Sequence, residues 1–433
     1  MKKHYVQRRN SLLEQMQPDS VAVMVSESYK VRSNDTEFPF RQESNFYYLC
    51  GFQEDNAALV LVKKGDTTQT HLFVQPKNEE MELWTGVRLG ADAAKEMFEI
   101  DEAHSIETFD EVMKELLKES NHLYIDLFSD NERYGDLRGL CKSLLHDRKV
   151  NRSPRSFFDV TEPLQQMRLI KSDEEVALIR KALAITQEAH HSAMRLAEPD
   201  ICEYELQANI EYVFKLSGAY SDAYTTIVAG GNNANTLHYI TNSDTLKKGT
   251  LLLIDAGCEY QMYASDITRT FPVDGKFTPA QKELYEMVLE VQLEIIDLIK
   301  PGVTKKFLQT ESEHRLASGM VRLGILKGDV EELVEAKTHK KYFPHGIGHW
   351  MGLDVHDPCP YVDEHGRELR LLPGMVMTIE PGIYIREDDS EVPEQYRGIG
   401  IRIEDNILVT KEGCENLSAG IAKSVEEIET VCR

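Results

Sequence analysis

Long apolar runs are missing from this sequence, and so is any excess of positive charge. No stretch approaches the roughly 20 consecutive apolar residues that a membrane-spanning helix requires. The first residues, MKKHYVQRRNSLLEQMQPDS, are basic but hold no apolar core segment and no small-residue cleavage site, so they do not read as a secretion signal. Lys and Arg total 49 against 73 Asp and Glu, a formal net charge of −24. Nucleic acid and anionic membrane surfaces would be repelled, whereas cations would be attracted. The seven cysteines show no CxxC spacing and one is necessarily left over. They read as small hydrophobes in a reducing, cytoplasmic setting rather than as a disulfide framework. HExxH and GxSxG are also absent, which excludes a helix-borne zinc protease site and a serine nucleophile elbow.

What is present divides near a turn-rich stretch, Pro154 to Pro163. Residues 1–165 read as one α/β unit, and residues 166–433 as a second domain. In the first, Arg8 to Gln17 predicts a helix. Val21–Val25, Phe46–Leu49, Ala57–Val62, Thr70–Val74 and His122–Asp126 predict strands, with helices near 92–99 and 108–120. No metal or nucleophile constellation stands out there. The second domain opens on Ser172-Asp-Glu-Glu175, a capping box, followed by a helix that Pro199 stops. A helix over about 203–217 and a strand at Thr225–Val228 come next. Thr278-Pro279 then starts a helix that Pro301-Gly302 breaks, and a further helix runs from Thr304 to about Leu323.

The most informative stretch is Gly249 to Val273, GTLLLIDAGCEYQMYASDITRTFPV. An apolar run ends in Asp255, and a second acid, Asp266, heads a β-prone run. A hairpin centred between Tyr260 and Gln261 would set the two aspartates opposite each other, with Cβ atoms roughly 5 Å apart. Like charges there need something cationic between them. The order helix, Pro break, helix, strand, hairpin then occurs a second time. Lys248–Gly257 aligns with Pro373–Gly382, which matches Asp255 to Glu380, and Glu404 heads another β-prone run. Glu380 and Glu404 are symmetric about a turn near Val392-Pro393. Chance similarity of two Gly-flanked strands is the competing reading. If the halves pack about a pseudo-twofold axis, four acids converge. They could not all ionise in one low-dielectric site without at least one divalent cation, and two are favoured.

Between the copies lies PHGIGHWMGLDVHD, with His345, His349 and His356 among close-set glycines. The glycines argue for an irregular or extended backbone rather than a helix, and they do not match a dinucleotide fingerprint. Carboxylates with imidazole form an oxygen-rich donor set that suits Mn²⁺ or another moderately hard first-row ion. Tyr384, near Glu380, reads as packing.

At LLLIDAGCEY, SDITRTFPV, HGIGHWMGLDVHD, TIEPGIYI and YRGIGIRIEDNILVT the sequence resembles the pita-bread metallopeptidases, and among them the Xaa-Pro aminopeptidases most of all. The N-terminal unit, at RQESNFYY and ELWTG, is similar to that family's creatinase-like domain. The resemblance implies an α/β chain in two parts: a creatinase-like domain serving oligomerisation and site access, and a pita-bread domain with an internal pseudo-twofold repeat. It implies that Asp255, Asp266, His349, Glu380 and Glu404 ligate two divalent ions, most readily Mn²⁺, with Asp266 and Glu404 bridging. His238, His345 and His356 would line the substrate pocket, and Arg402 would order it around Glu404. Glu380 would be the general base, assisted by His356 and His238. The implied reaction is hydrolysis of the N-terminal Xaa-Pro bond by a metal-bridging hydroxide, in a homo-oligomer of two or four chains. The rivals are a prolidase restricted to Xaa-Pro dipeptides, and a non-catalytic binding protein on the same fold.

Overall fold

The alternation of buried β-branched strands with amphipathic helices dictates layered sheets. The computed structural model, which describes residues 2–432, divides into two compact units, the first ending at Met167 and the second beginning at Arg168.

The first unit is built on a six-stranded sheet. Its strands are β1 (Ser20–Val25), β2 (Ala58–Lys64), β3 (Thr67–Val74), β4 (Glu102–Ser105), β5 (His122–Ile125) and β6 (Ser156–Asp159), in the order β4-β3-β2-β1-β5-β6. The central strand β1, SVAVMV, is buried along its whole length, as its unbroken apolar run requires. It pairs antiparallel with β2 and parallel with β5. Two expectations fail here. Phe46–Leu49 is not a strand but lies within the helix Ser44–Cys50. Four apolar residues are too few to distinguish the two periods, and the cap decides. The Glu43 carboxylate accepts from the N–H of Asn45 at 3.0 Å and of Phe46 at 2.6 Å. The stretch from Pro154 to Pro163 is not merely turns, since β6 lies inside it, in register with β5.

In the second unit the repeat is visible in three dimensions. β7 (Ile227–Gly230), β8 (Leu251–Asp255) and β9 (Thr268–Pro272) form one three-stranded sheet. β10 (Val376–Ile379) and β13 (Asp405–Val409) are the core of another, with β11 (Gly382–Tyr384) and β12 (Gly400–Arg402) forming a ribbon between them in sequence. β7 pairs antiparallel with β8, and in the second copy the segment around Trp350 bridges to Met377 of β10 in the same sense. Helices Asp173–Leu196 and Pro279–Asp297 each begin at a capping box, with Ser172 and Thr278 as N-caps. Each also reaches a strand end. His190 Nε2 lies 3.1 Å from the carbonyl of Ala256. The Gln292 amide donates to the carbonyls of Ile379 at 3.2 Å and Ile403 at 3.0 Å. These polar groups are fully buried, so each such bond is worth more in place than absent by about 1–3 kcal/mol. The residues they hold immediately flank Asp255, Glu380 and Glu404.

Candidate metal centre

The register of β8 corrects the expected hairpin. Asp255 stands opposite Thr268, not Asp266, and the turn is centred between Gln261 and Met262, both left-handed at φ 47 and 69. Asp266 lies just before β9, where its backbone is gripped by Asn406. The Asn406 side chain accepts from the Asp266 N–H at 3.1 Å and donates to its carbonyl at 2.6 Å. The two aspartates meet all the same, through a third residue: the Tyr224 hydroxyl lies 2.6 Å from Asp255 Oδ1 and 2.7 Å from Asp266 Oδ1. In the second copy the expected symmetry holds, since Ile379 pairs with Asp405 and Gly382 with Arg402, which brackets Glu380 and Glu404.

His349 is carried on an extended segment, as its glycine neighbours imply. The N–H of Thr378 donates to the carbonyl of His349 at 2.9 Å, and that of Glu380 to the carbonyl of Ile347 at 2.8 Å. A Cβ at Gly348 would lie 1.9 Å from the Thr378 carbonyl oxygen, so only glycine admits this approach. His349 Nδ1 lies 3.0 Å from its neighbour Trp350's carbonyl, which fixes the proton on Nδ1 and turns Nε2 inward. Nε2 is 3.2 Å from Asp266 Oδ2 and 3.8 Å from Glu380 Oε1.

Asp255, Asp266, His349, Glu380, Glu404, His238, His345, His356 and Arg402 all line one cavity of about 350 Å³. Donor atoms of Asp266, His349 and Glu404 lie within 4.8 Å of one another. Burial raises the carboxyl pKa of Asp255 and Glu404, and the neighbouring acids add to it. Glu380 is pushed up to about 7 by burial, with the charges of Asp266 and Asp255 adding. Arg402 is the buried cation in this set. Its Nη2 donates to Asp255 Oδ2 at 2.6 Å, its Nε to Thr268 Oγ1 at 3.0 Å and its Nη1 to the Tyr384 hydroxyl at 3.0 Å. Thr268 passes the contact on to Glu404 Oε2 at 2.7 Å. So Arg402 bears on Glu404 through Thr268, and Tyr384 is more than packing. Tyr384 also lies 2.8 Å from His345 Nε2, while His345 Nδ1 lies 2.8 Å from the carbonyl of Gly346. Burial, with the Arg402 charge adding to it, holds His345 down at about 4, hence neutral. His356 packs edge-on against His349 with ring centroids 4.3 Å apart, and both His356 and His238 are exposed at the mouth.

Four acids against the Arg402 guanidinium and the His349 imidazolium leave an excess of negative charge in the ion-free cavity. The donor set of carboxylate oxygens plus one inward imidazole nitrogen therefore fits divalent cations.

Residues 177–411 match the family described as metallopeptidase family M24, and residues 5–124 match the aminopeptidase P N-terminal domain. The chain is 44% identical to Xaa-Pro aminopeptidases of Haemophilus influenzae and of Escherichia coli, covering 99% of this chain and 97% of each relative. The chain belongs to metallopeptidase family M24. Among solved structures, zinc-substituted E. coli aminopeptidase P in complex with product has a TM-score of 0.97 at 42% identity, covering 100% of this chain and 98% of that one. Proline aminopeptidase P II from Yersinia pestis matches with a TM-score of 0.97 at 41% identity, covering 100% and 99%.

Sequence reasoning missed the residues that orient this M24 centre. Tyr224, Thr268, Gln292 and Asn406 are common polar types in unremarkable surroundings. Only Asn406 gives a signal, being a buried-strand amide two residues after Glu404.

Proposed function

We propose that this chain is a metal-dependent Xaa-Pro aminopeptidase, releasing the N-terminal residue from peptides with proline in second position. The observation that carries it is the convergence of four carboxylates and His349 Nε2 in one cavity, in a chain similar end to end to enzymes of that name. Asp255, Asp266, His349, Glu380 and Glu404 would hold two divalent ions, and the oxygen-rich donors suit Mn²⁺. When bound, such ions supply a water nucleophilic near neutrality and polarise the scissile carbonyl.

The chain's own residues do the rest. Glu380 takes up and returns a proton at its carboxylate, for which its position beside His349 and the open cavity suits it. His356 and His238, exposed at the mouth, donate to the carbonyl oxygen as charge builds on it. His345 is held neutral and fixed by Tyr384. With Ile227, Leu237, Ile240 and Val355 it offers the proline ring an apolar wall. Arg402 keeps Asp255 oriented. The N-terminal unit serves assembly into a dimer or tetramer and access to the site. The cysteines, all free, suit a reducing cytoplasm. No described helix is long and apolar enough to cross a membrane.

The test uses EDTA-treated protein reloaded with Mn²⁺ and assayed on an Xaa-Pro dipeptide beside an Xaa-Pro-Yaa tripeptide. Tripeptide turnover that depends on added metal is expected, and Asp255→Ala or Glu380→Ala abolishes it. Turnover of the dipeptide alone would favour a prolidase. Metal-independent or absent turnover would remove the assignment.

A further inference from the structure

A second set of metal donors lies in the N-terminal unit, and none of them lines the cavity described above. The parallel pairing of β3 with β4 sets His71 beside Glu102 and Phe73 beside His104. Residues two apart on a strand share a face, so these four side chains project on the same side. His71 Nδ1 and His104 Nε2 are 3.1 Å apart. Glu102 Oε2 is 3.8 Å from the first and 3.6 Å from the second. Two imidazole nitrogens bound to one cation at about 2.1 Å, at angles between octahedral and tetrahedral, lie roughly 3.0–3.4 Å apart. The nitrogens therefore already stand at a chelating separation, and the carboxylate must close by only a fraction of an ångström.

Three further features suit a cation. Glu102 Oε1 accepts from the Gln69 side-chain amide at 2.9 Å, which leaves Oε2 turned to the imidazoles, as an outer contact orients a ligand. His104 stacks on Phe73 with ring centroids 4.8 Å apart, which fixes its plane. His71 is buried in the sheet, while Glu102 is half-exposed on the edge strand β4, which gives an ion a path from solvent.

We propose that His71, Glu102 and His104 form a cation site for a single Zn²⁺-like ion, which fastens the edge strand β4 to β3. Two nitrogens and one oxygen select a borderline ion of this kind over Mg²⁺ or Ca²⁺. One feature sets its strength. His71 Nε2 is buried without a hydrogen-bond partner among the described residues. When Nδ1 takes the ion, the proton must sit on Nε2 with no acceptor, and the bond between the two histidines is given up. The site therefore binds more weakly than the four-acid centre and fills after it. This inference does not rest on the proposed peptidase reaction.

The experiment titrates the EDTA-stripped full chain with Zn²⁺ and counts bound ions per chain after desalting, for the unmodified protein, Glu102→Gln and His104→Gln. Both variants are expected to hold one equivalent fewer, to lose the last rise in melting temperature on Zn²⁺ addition, and to keep full Mn²⁺-dependent peptidase activity. Glu102 is half-exposed, so Glu102→Gln decides the matter should His104→Gln fold poorly. Equal zinc content in the unmodified protein and Glu102→Gln overturns the proposal, as does a crystal of the zinc-loaded protein with no anomalous peak among the three side chains. A failure of the dinuclear reading would lower the count equally in all three proteins and leave the difference intact.

Discussion

Arg402 Nη2 donates to Asp255 Oδ2 at 2.6 Å, which ties the last strand of one copy's ribbon to the acid at the end of β8 in the other copy. The same guanidinium also donates through Nε to Thr268 and through Nη1 to Tyr384. It is thus a three-way clamp as well as a counter-charge. Arg402→Lys keeps the charge but loses the fork. Metal affinity should fall by about tenfold or more, the scale typical of lost outer contacts to a ligand. Equilibrium dialysis against Mn²⁺ measures this, and unchanged affinity would show that charge alone matters.

Gly348 is where the His349 segment meets β10. A methyl group there would lie 1.9 Å from the Thr378 carbonyl oxygen and 2.7 Å from its carbon, both backbone atoms with nowhere to go. Gly348→Ala should push the two segments apart, with a loss on the order of 2–4 kcal/mol in stability. Bound metal should fall as His349 and Glu380 separate. Chemical unfolding and metal content per chain report the two effects independently.

Metal binding should release protons. In the ion-free protein Glu380 is pushed up to about 7 by burial, with neighbouring acids adding to it. Burial alone would lower His349, but its bond to Asp266 and that carboxylate's charge outweigh this and bring it up to about 9. At pH 7 both hold protons that a ligated cation displaces. Adding Mn²⁺ to stripped protein should liberate about one to two protons per chain at pH 7. A pH-stat, or calorimetry in buffers of different ionisation enthalpy, counts them. A count of zero would mean that these groups do not bind the ion.

The histidine through which helix Asp173–Leu196 reaches the carbonyl of Ala256 gives a pH effect on folding itself. His190 is wholly buried, and burial pushes it down to about 3. Its folded pKa lies below the unfolded value near 6.5, so the unfolded chain takes the proton first as pH falls. The contribution is absent above about pH 6.5 and destabilises progressively below it, by about 3 kcal/mol at pH 4. Urea unfolding at pH 7, 5.5 and 4 should show a steeper acid loss for the native chain than for His190→Gln. Parallel slopes would contradict the assignment.

What the sequence made legible was which residues converge on the cavity, and their repetition. Asp255 and Glu380 each follow an apolar run, and an offset between two Gly-flanked strands is readable without a structure. Register was less legible. The expected turn was misplaced by one position because Gln261 and Met262 carry no glycine or asparagine to mark a left-handed pair. That slip put Asp266 where Thr268 stands. Phe46–Leu49 failed for a related reason, a run too short to show its period without its cap. The set His71, Glu102 and His104 could not be seen at all. Two of its members are neighbours on one strand and the third sits on another, and only the pairing of β3 with β4 brings them together.

The carbonyl of Trp350 accepts from His349 Nδ1 and also from the backbone N–H of Asp357. The proton position on the metal-facing imidazole is thus set by main-chain atoms, which every amino acid supplies. Position 350 can drift in sequence without flipping that imidazole, provided the fold of the segment survives. The orientation of that imidazole is therefore vulnerable at residues that shape the backbone, Gly348 foremost, rather than at the side chain of Trp350.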